Sequence, residues 1–176
     1  FIATYVDHIT VNSSYLKDVL LKKNISEKKI HIVPIGIDTA FFNLDVKPIT
    51  PRTNSVLKII SVGRLIELKG HHLGIQVIKK LKDKGVSVQY TIVGDGERKL
   101  FLQRLIKKLE LENDVLLVGS KNQDQIKELL KEHHLFLMTS TADEEGRREA
   151  FGVVSLEAQA MGLPVVGFHS GGVIDT

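Results

Sequence analysis

Two carboxylates and a predicted helix start form the first group of residues in this sequence suited to binding chemistry. Glu149 and Glu157 stand eight positions apart in Glu149-Ala150-Phe151-Gly152-Val153-Val154-Ser155-Leu156-Glu157. The pattern predicts a helix that begins near Phe151 or Gly152, with Glu149 just before it and Glu157 about a turn and a half inside. A carboxylate can accept two hydrogen bonds from vicinal hydroxyls, as on a sugar or ribose. The free N–H groups and positive dipole end of the helix offer a site for an anion. As surface acids near a helix N-terminus, the same two residues would be mildly stabilising, and spacing alone does not separate the two readings. The second group is Gly63-Arg64-Leu65-Ile66-Glu67-Leu68-Lys69-Gly70. Gly63 lets backbone come close to a ligand. Arg64 presents a planar fork and Lys69 a point charge, so together they could hold a diphosphate. Spacing alone favours a turn with both cations solvated.

These groups need a scaffold, and the apolar pattern supplies one. Leu57–Val62 reads as a buried strand. Leu73, Val77, Ile78 and Leu81 mark a helix that ends at Gly85. Val88, Tyr90 and Ile92 alternate in a strand closed by Gly94-Asp95-Gly96, and Leu102, Leu105, Ile106 and Leu109 mark the next helix. Val115–Val118 reads as a strand, Ile126, Leu129 and Leu130 as a helix face, and Leu135–Met138 as a strand. Phe151–Met161 reads as a helix and Pro164–Phe168 as a last strand. Short apolar strands alternating with helices predict an α/β domain with a doubly wound, Rossmann-like parallel sheet. Ligands of such sheets bind at the carboxyl ends of the strands, where strand order reverses. Here that crevice falls between the loops Gly63–Gly70 and Ser140–Gly152, which carry both groups. Ahead of this regular part, His8–Val11 and Ile30–Val33 read as strands around a helix capped by Asn12-Ser13. Pro34-Ile35-Gly36-Ile37-Asp38 is a turn, and Lys47–Ser55 reads as a loop or linker.

Composition narrows the function classes. The 176 residues are 43% hydrophobic and 26% charged, which is ordinary for a globular domain and excludes disordered and low-complexity classes. Cysteine is absent, so no disulfide framework or Cys-ligated zinc is available. No apolar run approaches the ~18 residues of a membrane span. A net charge of +3, with Lys and Glu interspersed, gives no reason to expect nucleic acid as a partner. Both ends of the chain read as cut, as in a piece of a longer protein. Neighbouring residues on a helix point about 100° apart, so neither His71-His72 nor His133-His134 is expected to chelate a metal. Nicotinamide-site, Walker A and G-x-S-x-G patterns are absent.

Gly63-Arg64-Leu65 followed by Lys69-Gly70, Glu149 with Glu157, and Ala158-Gln159-Ala160-Met161-Gly162-Leu163-Pro164-Val165-Val166 closing the helix resemble the GT4 family of retaining glycosyltransferases. Pro34-Ile35-Gly36-Ile37-Asp38 with Phe41, Gly94-Asp95-Gly96 and Gly171-Gly172 extend the resemblance from about Pro34 to the end. It implies the C-terminal, donor-binding half of a GT-B glycosyltransferase. Residues 1–33 look like the remnant of an N-terminal acceptor domain and hinge, and 34–176 like an incomplete nucleotide-sugar-binding domain. The resemblance makes Arg64 and Lys69 the grip on the donor diphosphate. Glu149 becomes the first acid of the EX7E motif, in contact with the donor sugar, and Glu157 the second, on the ribose hydroxyls. Gly63, Phe151, Gly152 and Val153 become donor-binding backbone. Two positions depart from the family's habit, Ile35 (often Asn) and Ala150 (often Gly). The charged stretch Asp143–Arg148 is longer than usual; it is a solvated insertion or lines the sugar pocket.

The expected activity is transfer of a sugar, with retention, from a nucleoside diphosphate to an acceptor hydroxyl in polysaccharide or glycolipid assembly. No cofactor or metal is expected, because Arg64, Lys69 and the helix N-terminus would take up the leaving group's charge. The acceptor would be met by the missing N-terminal domain, and this piece alone is not expected to turn over. The resemblance further implies a cytoplasmic enzyme, possible at the inner membrane face. Two other readings stay open: a GT-B nucleotide-sugar epimerase, and a non-catalytic sugar-nucleotide-binding module.

Overall fold

The computed structural model describes residues 5–43 and 56–176, so the loop expected over Lys47–Ser55 lies outside the described residues. Among the described residues, seven strands and five α-helices follow in order. They are β1 (Ile9–Val11), α1 (Ser14–Leu21), β2 (Ile30–Ile32), β3 (Leu57–Val62), α2 (His71–Asp83) and β4 (Val88–Val93), then α3 (Lys99–Lys108), β5 (Val115–Leu117), α4 (Gln123–Glu132), β6 (Leu135–Met138), α5 (Val153–Ala160) and β7 (Val165–Gly167). β1 and β2 pair in parallel as a separate two-stranded sheet. The other five strands form one parallel sheet in the order β5-β4-β3-β6-β7. This is the doubly wound arrangement: the chain winds outward from β3 to β5, then returns to β6 on the other side of β3.

The sheet is apolar on both faces because helices cover both. Along β3, successive side chains alternate. Ile59 joins a cluster with Ile75, Ile78, Tyr90, Ile92, Leu102 and Ile106, under α2 and α3. Ile60 joins Phe136, Met138, Leu130, Ala158 and Met161, under α4 and α5. That is why β3 reads as a near-continuous apolar run rather than a polar–apolar alternation. Inside the first cluster, Ser61 Oγ donates to Leu137 O, and the buried Tyr90 hydroxyl, 2.7 Å away, must therefore donate to Ser61. One polar network thus ties three central strands together at no cost in unpaired groups.

Local signals account for several helix ends. Ser13 Oγ accepts from Leu16 N at 3.2 Å and caps α1. Asn122 and Gln125 form a reciprocal capping box at the start of α4, with bonds of 2.9 and 3.1 Å. The second histidine pair sews α4 and the strand after it to the sheet. His133 Nδ1 donates to Leu129 O at 2.6 Å, so Nε2 accepts from Thr91 Oγ1 at 2.9 Å. His134 Nδ1 accepts from Lys58 N at 3.0 Å. No helix among the described residues is long and apolar enough to cross a membrane.

Candidate functional site

β3 and β6 are neighbours in the sheet, so the loops that leave their carboxyl ends meet. They are bonded directly: Thr139 Oγ1 donates to Lys69 O at 3.0 Å, and Thr141 N donates to Leu68 O at 2.9 Å. The turn after β4 braces the first loop from its other side. Leu65 N donates to Asp95 O and Arg98 N to Leu65 O, both at 2.9 Å. The approach is so close that a Cβ on Gly94, whose φ is +143°, would lie 2.0 Å from Gly63 O. Gly94 therefore has to be glycine on both conformational and steric grounds.

The Lys69 side chain runs across Gly63, where a Cβ would only just clear its Cδ at 3.4 Å. Its ammonium group forms an ion pair with Glu149 Oε2. Ser140 Oγ donates to the same oxygen at 3.2 Å. The two side chains are 18% and 14% exposed, so solvent screens this pair far less than a surface one. The structure thus brings together two residues expected to meet separate parts of a donor: the resting charge of Lys69 is met by Glu149.

Arg64 is exposed, and its guanidinium has no ion-pair partner among the described residues. It lines a cleft of about 530 Å³ with Glu67, Glu97, Arg147 and Arg148, which Lys69 and Glu149 do not line. The charged loop before Glu149 forms the far wall. Asp143 organises that loop by accepting from Glu145 N (3.1 Å), Arg147 N (2.9 Å) and Arg147 Nε (2.8 Å). The Arg147 side chain holds the Asp143 carboxyl below its ordinary value. The charged stretch Asp143–Arg148 is therefore an ordered wall of the cleft.

α5 begins at Val153, later than the sequence suggests. Gly152 is its N-cap residue and takes a left-handed φ of 100°, which breaks the helix pattern before it. Ser155 turns both its N–H (2.9 Å) and its Oγ (2.7 Å) back to Gly152 O. This leaves the Val153 and Val154 amides as the open donors of the helix start, in place of Phe151. The Phe151 side chain is buried at 3% exposure. Glu157, one turn further in, opens elsewhere. It lines a second cavity of about 270 Å³ with Gly36, Asp38, Phe41, Gln123 and Val153. Its carboxyl is half-buried, has no hydrogen bond or ion pair among the described residues, and is pushed up by burial. Glu157 therefore lines a cavity that Glu149 does not, together with Val153 from the first turn of α5.

Of the residues around the two acids, Ser140 was marked by the rule that sites sit just past strand ends and Asp38 and Phe41 only by the family resemblance, while Gln123 carried no signal in the sequence. His71, the first residue of α2, is buried at 4% exposure behind Gly63 and Arg64. The Arg64 and Gly63 backbone favours the charged ring, but neither ring nitrogen reaches a partner in hydrogen-bond geometry. Desolvation therefore dominates and lowers its pKa to about 4. Among the described residues, no group of three or more His, Asp or Glu side chains is placed to hold a metal ion.

Residues 46–176 match the family model described as glycosyl transferases group 1. A putative colanic acid biosynthesis glycosyltransferase of Escherichia coli, WcaL, is 38% identical over 155 residues, covering 86% of this chain and 37% of its own length. The amylovoran biosynthesis glycosyltransferase AmsK of Erwinia amylovora is 36% identical over 154 residues, covering 88% and 37%. This chain thus spans a little over a third of the length of these relatives. Among solved structures, a glycosyltransferase from Rickettsia africae superposes with a TM-score of 0.79 at 26% identity, over 96% of this chain and 46% of its own. Anabaena HepE in complex with UDP superposes with a TM-score of 0.79 at 22% identity, over 97% and 47%, which is a likeness of fold.

Proposed function

This chain belongs to the glycosyl transferases of group 1, and from that premise we propose that it is the donor-binding part of a retaining GT4 enzyme that moves a sugar from a nucleoside diphosphate to an acceptor hydroxyl. One observation carries the reading. At the junction of β3 and β6, where an open α/β sheet binds its ligand, Lys69 meets Glu149, and Arg64 from the same loop as Lys69 has no ion-pair partner among the described residues. Glu149 and Glu157 are the two acids of the EX7E motif on this reading. Glu149 positions the donor sugar, and the unpaired Glu157 carboxylate accepts from the ribose hydroxyls. When the bond from the anomeric carbon to the phosphate oxygen breaks, its electron pair leaves with the diphosphate. Arg64, Lys69 and the first amides of α5 stabilise that charge, so the enzyme needs no metal ion. The acceptor oxygen bonds to the anomeric carbon on the face the diphosphate leaves, and its O–H proton passes to the departing phosphate oxygen.

Relatives named for colanic acid and amylovoran biosynthesis support polysaccharide assembly as the setting; a place in the cytoplasm or at the inner membrane face belongs to the proposal alone. UDP in the HepE complex supports a nucleotide-sugar donor. The acceptor would bind an N-terminal domain of which residues 1–33 form the last strand–helix portion.

Calorimetric titration with UDP, GDP and ADP, each free and as its glucose conjugate, tests the reading. Saturable binding to one base is expected, unchanged when EDTA is added. Glu157→Ala should weaken it by about 10- to 100-fold, the worth of a hydrogen bond to a charged group. Because burial raises the Glu157 carboxyl, wild-type affinity should begin to fall at a pH above the ordinary 4.5, as the acceptor oxygen becomes protonated. Failure of all three nucleotides to bind would sink the proposal. Arg64→Ala should cost about 1.5–3 kcal/mol of affinity for the diphosphate, with the effect shrinking at high salt. Unchanged affinity in that variant removes Arg64 from the phosphate site.

A further inference from the structure

The turn Gly171–Asp175, which follows β7, takes no part in the chemistry above, yet it touches three elements at once. On one side it grips the start of α1. Asp175 Oδ2 accepts from Ser14 N at 2.7 Å, and both carboxylate oxygens lie 2.9 Å from the donating Ser14 Oγ. A carboxylate at this end of a helix also meets the positive pole of its dipole. On the other side the turn grips the acid-bearing loop. Gly172 N donates to Glu149 O at 2.8 Å, and Arg148 Nη1 donates to Ser170 Oγ at 3.1 Å. At the third contact, Ser155 Oγ lies 2.8 Å from Thr176 Oγ1, on the first turn of α5.

There is no slack between these contacts. A Cβ on Gly172 would lie 1.9 Å from Ala150 O and 2.9 Å from Ser13 Cβ. The bare backbone of the turn is therefore wedged between the N-cap of α1 and the residue that follows Glu149. Glu149 itself stands on irregular backbone between β6 and α5, where no helix or strand ladder holds it. A loop residue of this kind is placed by whatever its backbone bonds to, and here that is Gly172.

We infer that Asp175 is a positioning residue for Glu149. By tying the turn to α1, it lets the β1–α1–β2 unit set where the first acid stands, through Ser14, Asp175, Gly172 and the Glu149 carbonyl in sequence. The functional half of this inference rests on Glu149 being the sugar-contacting acid; the mechanical half does not. A shift of the two-stranded unit against the five-stranded sheet strains the exposed Ser14–Asp175 bonds first. The acid loop would then lose its outer anchor while Lys69 and Ser140 still hold its carboxylate.

Two readouts test this in the chain as it stands, with Asp175→Ala, Asp175→Asn and Ser14→Ala. The first is amide exchange without ligand. Gly172 should exchange about tenfold faster in Asp175→Ala and less so in Ser14→Ala, which keeps the backbone bond. Asp175→Asn, which keeps an acceptor, should restore most of the protection. The second is calorimetry with UDP, GDP and ADP against their glucose conjugates. Asp175→Ala should leave the bare diphosphate's affinity unchanged and remove the extra affinity that the sugar contributes. Unchanged Gly172 exchange overturns the inference, and so does faster exchange spread equally to core amides such as Ile60 and Tyr90. If the wild-type chain binds no nucleotide, the role given to Glu149 fails, while the exchange result still decides whether the turn anchors its backbone.

Discussion

Glu149→Gln is expected to abolish sugar transfer while tightening the binding of the free nucleoside diphosphate. The opposite directions follow from the ion pair. In the resting structure Glu149 neutralises Lys69, and Ser140 holds the same carboxylate oxygen. An incoming diphosphate has to compete with Glu149 for the ammonium group. Removing the carboxylate's charge frees Lys69 for the phosphate, so affinity for the bare diphosphate rises. It also removes the group that orients the sugar, so the reacting carbon loses its alignment. Lys69→Met gives the complementary result. Lys69 is already satisfied before substrate arrives, so its largest gain comes when charge grows on the leaving diphosphate. The loss should fall on kcat, by about 10²–10³-fold, the usual effect of removing one preorganised donor, with a smaller change in KM. Both variants should be compared with wild type in the intact enzyme, with transfer and diphosphate affinity measured on the same preparations. Diphosphate affinity that falls in Glu149→Gln would show that the pair does not hold Lys69 back, and would falsify this account of its role.

His71→Leu should remove about 3 kcal/mol of the difference in stability between pH 7 and pH 4. The folded ring titrates at about 4, against 6.5 for an exposed histidine, because burial disfavours its charged form. Between those two values the unfolded chain binds the proton and the folded chain does not. Stability from this residue is therefore complete above 6.5 and lost as pH falls towards 4, and the gap sets its size at about 3 kcal/mol. At pH 7 the substitution should be near neutral, since neither ring nitrogen has a hydrogen-bond partner to lose. Urea unfolding at pH 7, 5.5 and 4 reads the effect as the difference between the two proteins. Parallel curves for wild type and variant would mean that His71 stays charged in the folded state. The location makes this more than a stability test. His71 opens α2 directly beneath the Gly63–Arg64 backbone, so protonating it strains the loop that carries Arg64 and Lys69.

Much of this protein is legible in one dimension. Six residues of β3 and four of β6 occur where the apolar runs put them, because a strand buried on both faces has few polar positions to blur its ends. The order of strands and helices then leaves few parallel topologies, and the doubly wound one names the two loops that meet. Glycines outside the binding chemistry follow the same logic, since Gly94 is required by backbone packing against Gly63.

What the sequence could not fix depends on contacts between distant segments. The start of α5 moved to Val153 because Gly152 adopts a left-handed φ, a choice made by its surroundings rather than by local propensity. Lys69 and Glu149 are eighty positions apart; that they neutralise each other depends on the side chains of two loops meeting across β3 and β6. Glu157 follows Glu149 by only eight positions, but Asp38, Phe41 and Gln123, from distant segments, build the cavity it lines. The anchoring of Glu149 through Gly172, Asp175 and Ser14 spans almost the whole chain. The sequence determines which residues can do the chemistry and which strand ends present them, because residue type and apolar period are local properties. Their pairing, protonation and anchoring are decided by the tertiary structure, because charge and desolvation act through space.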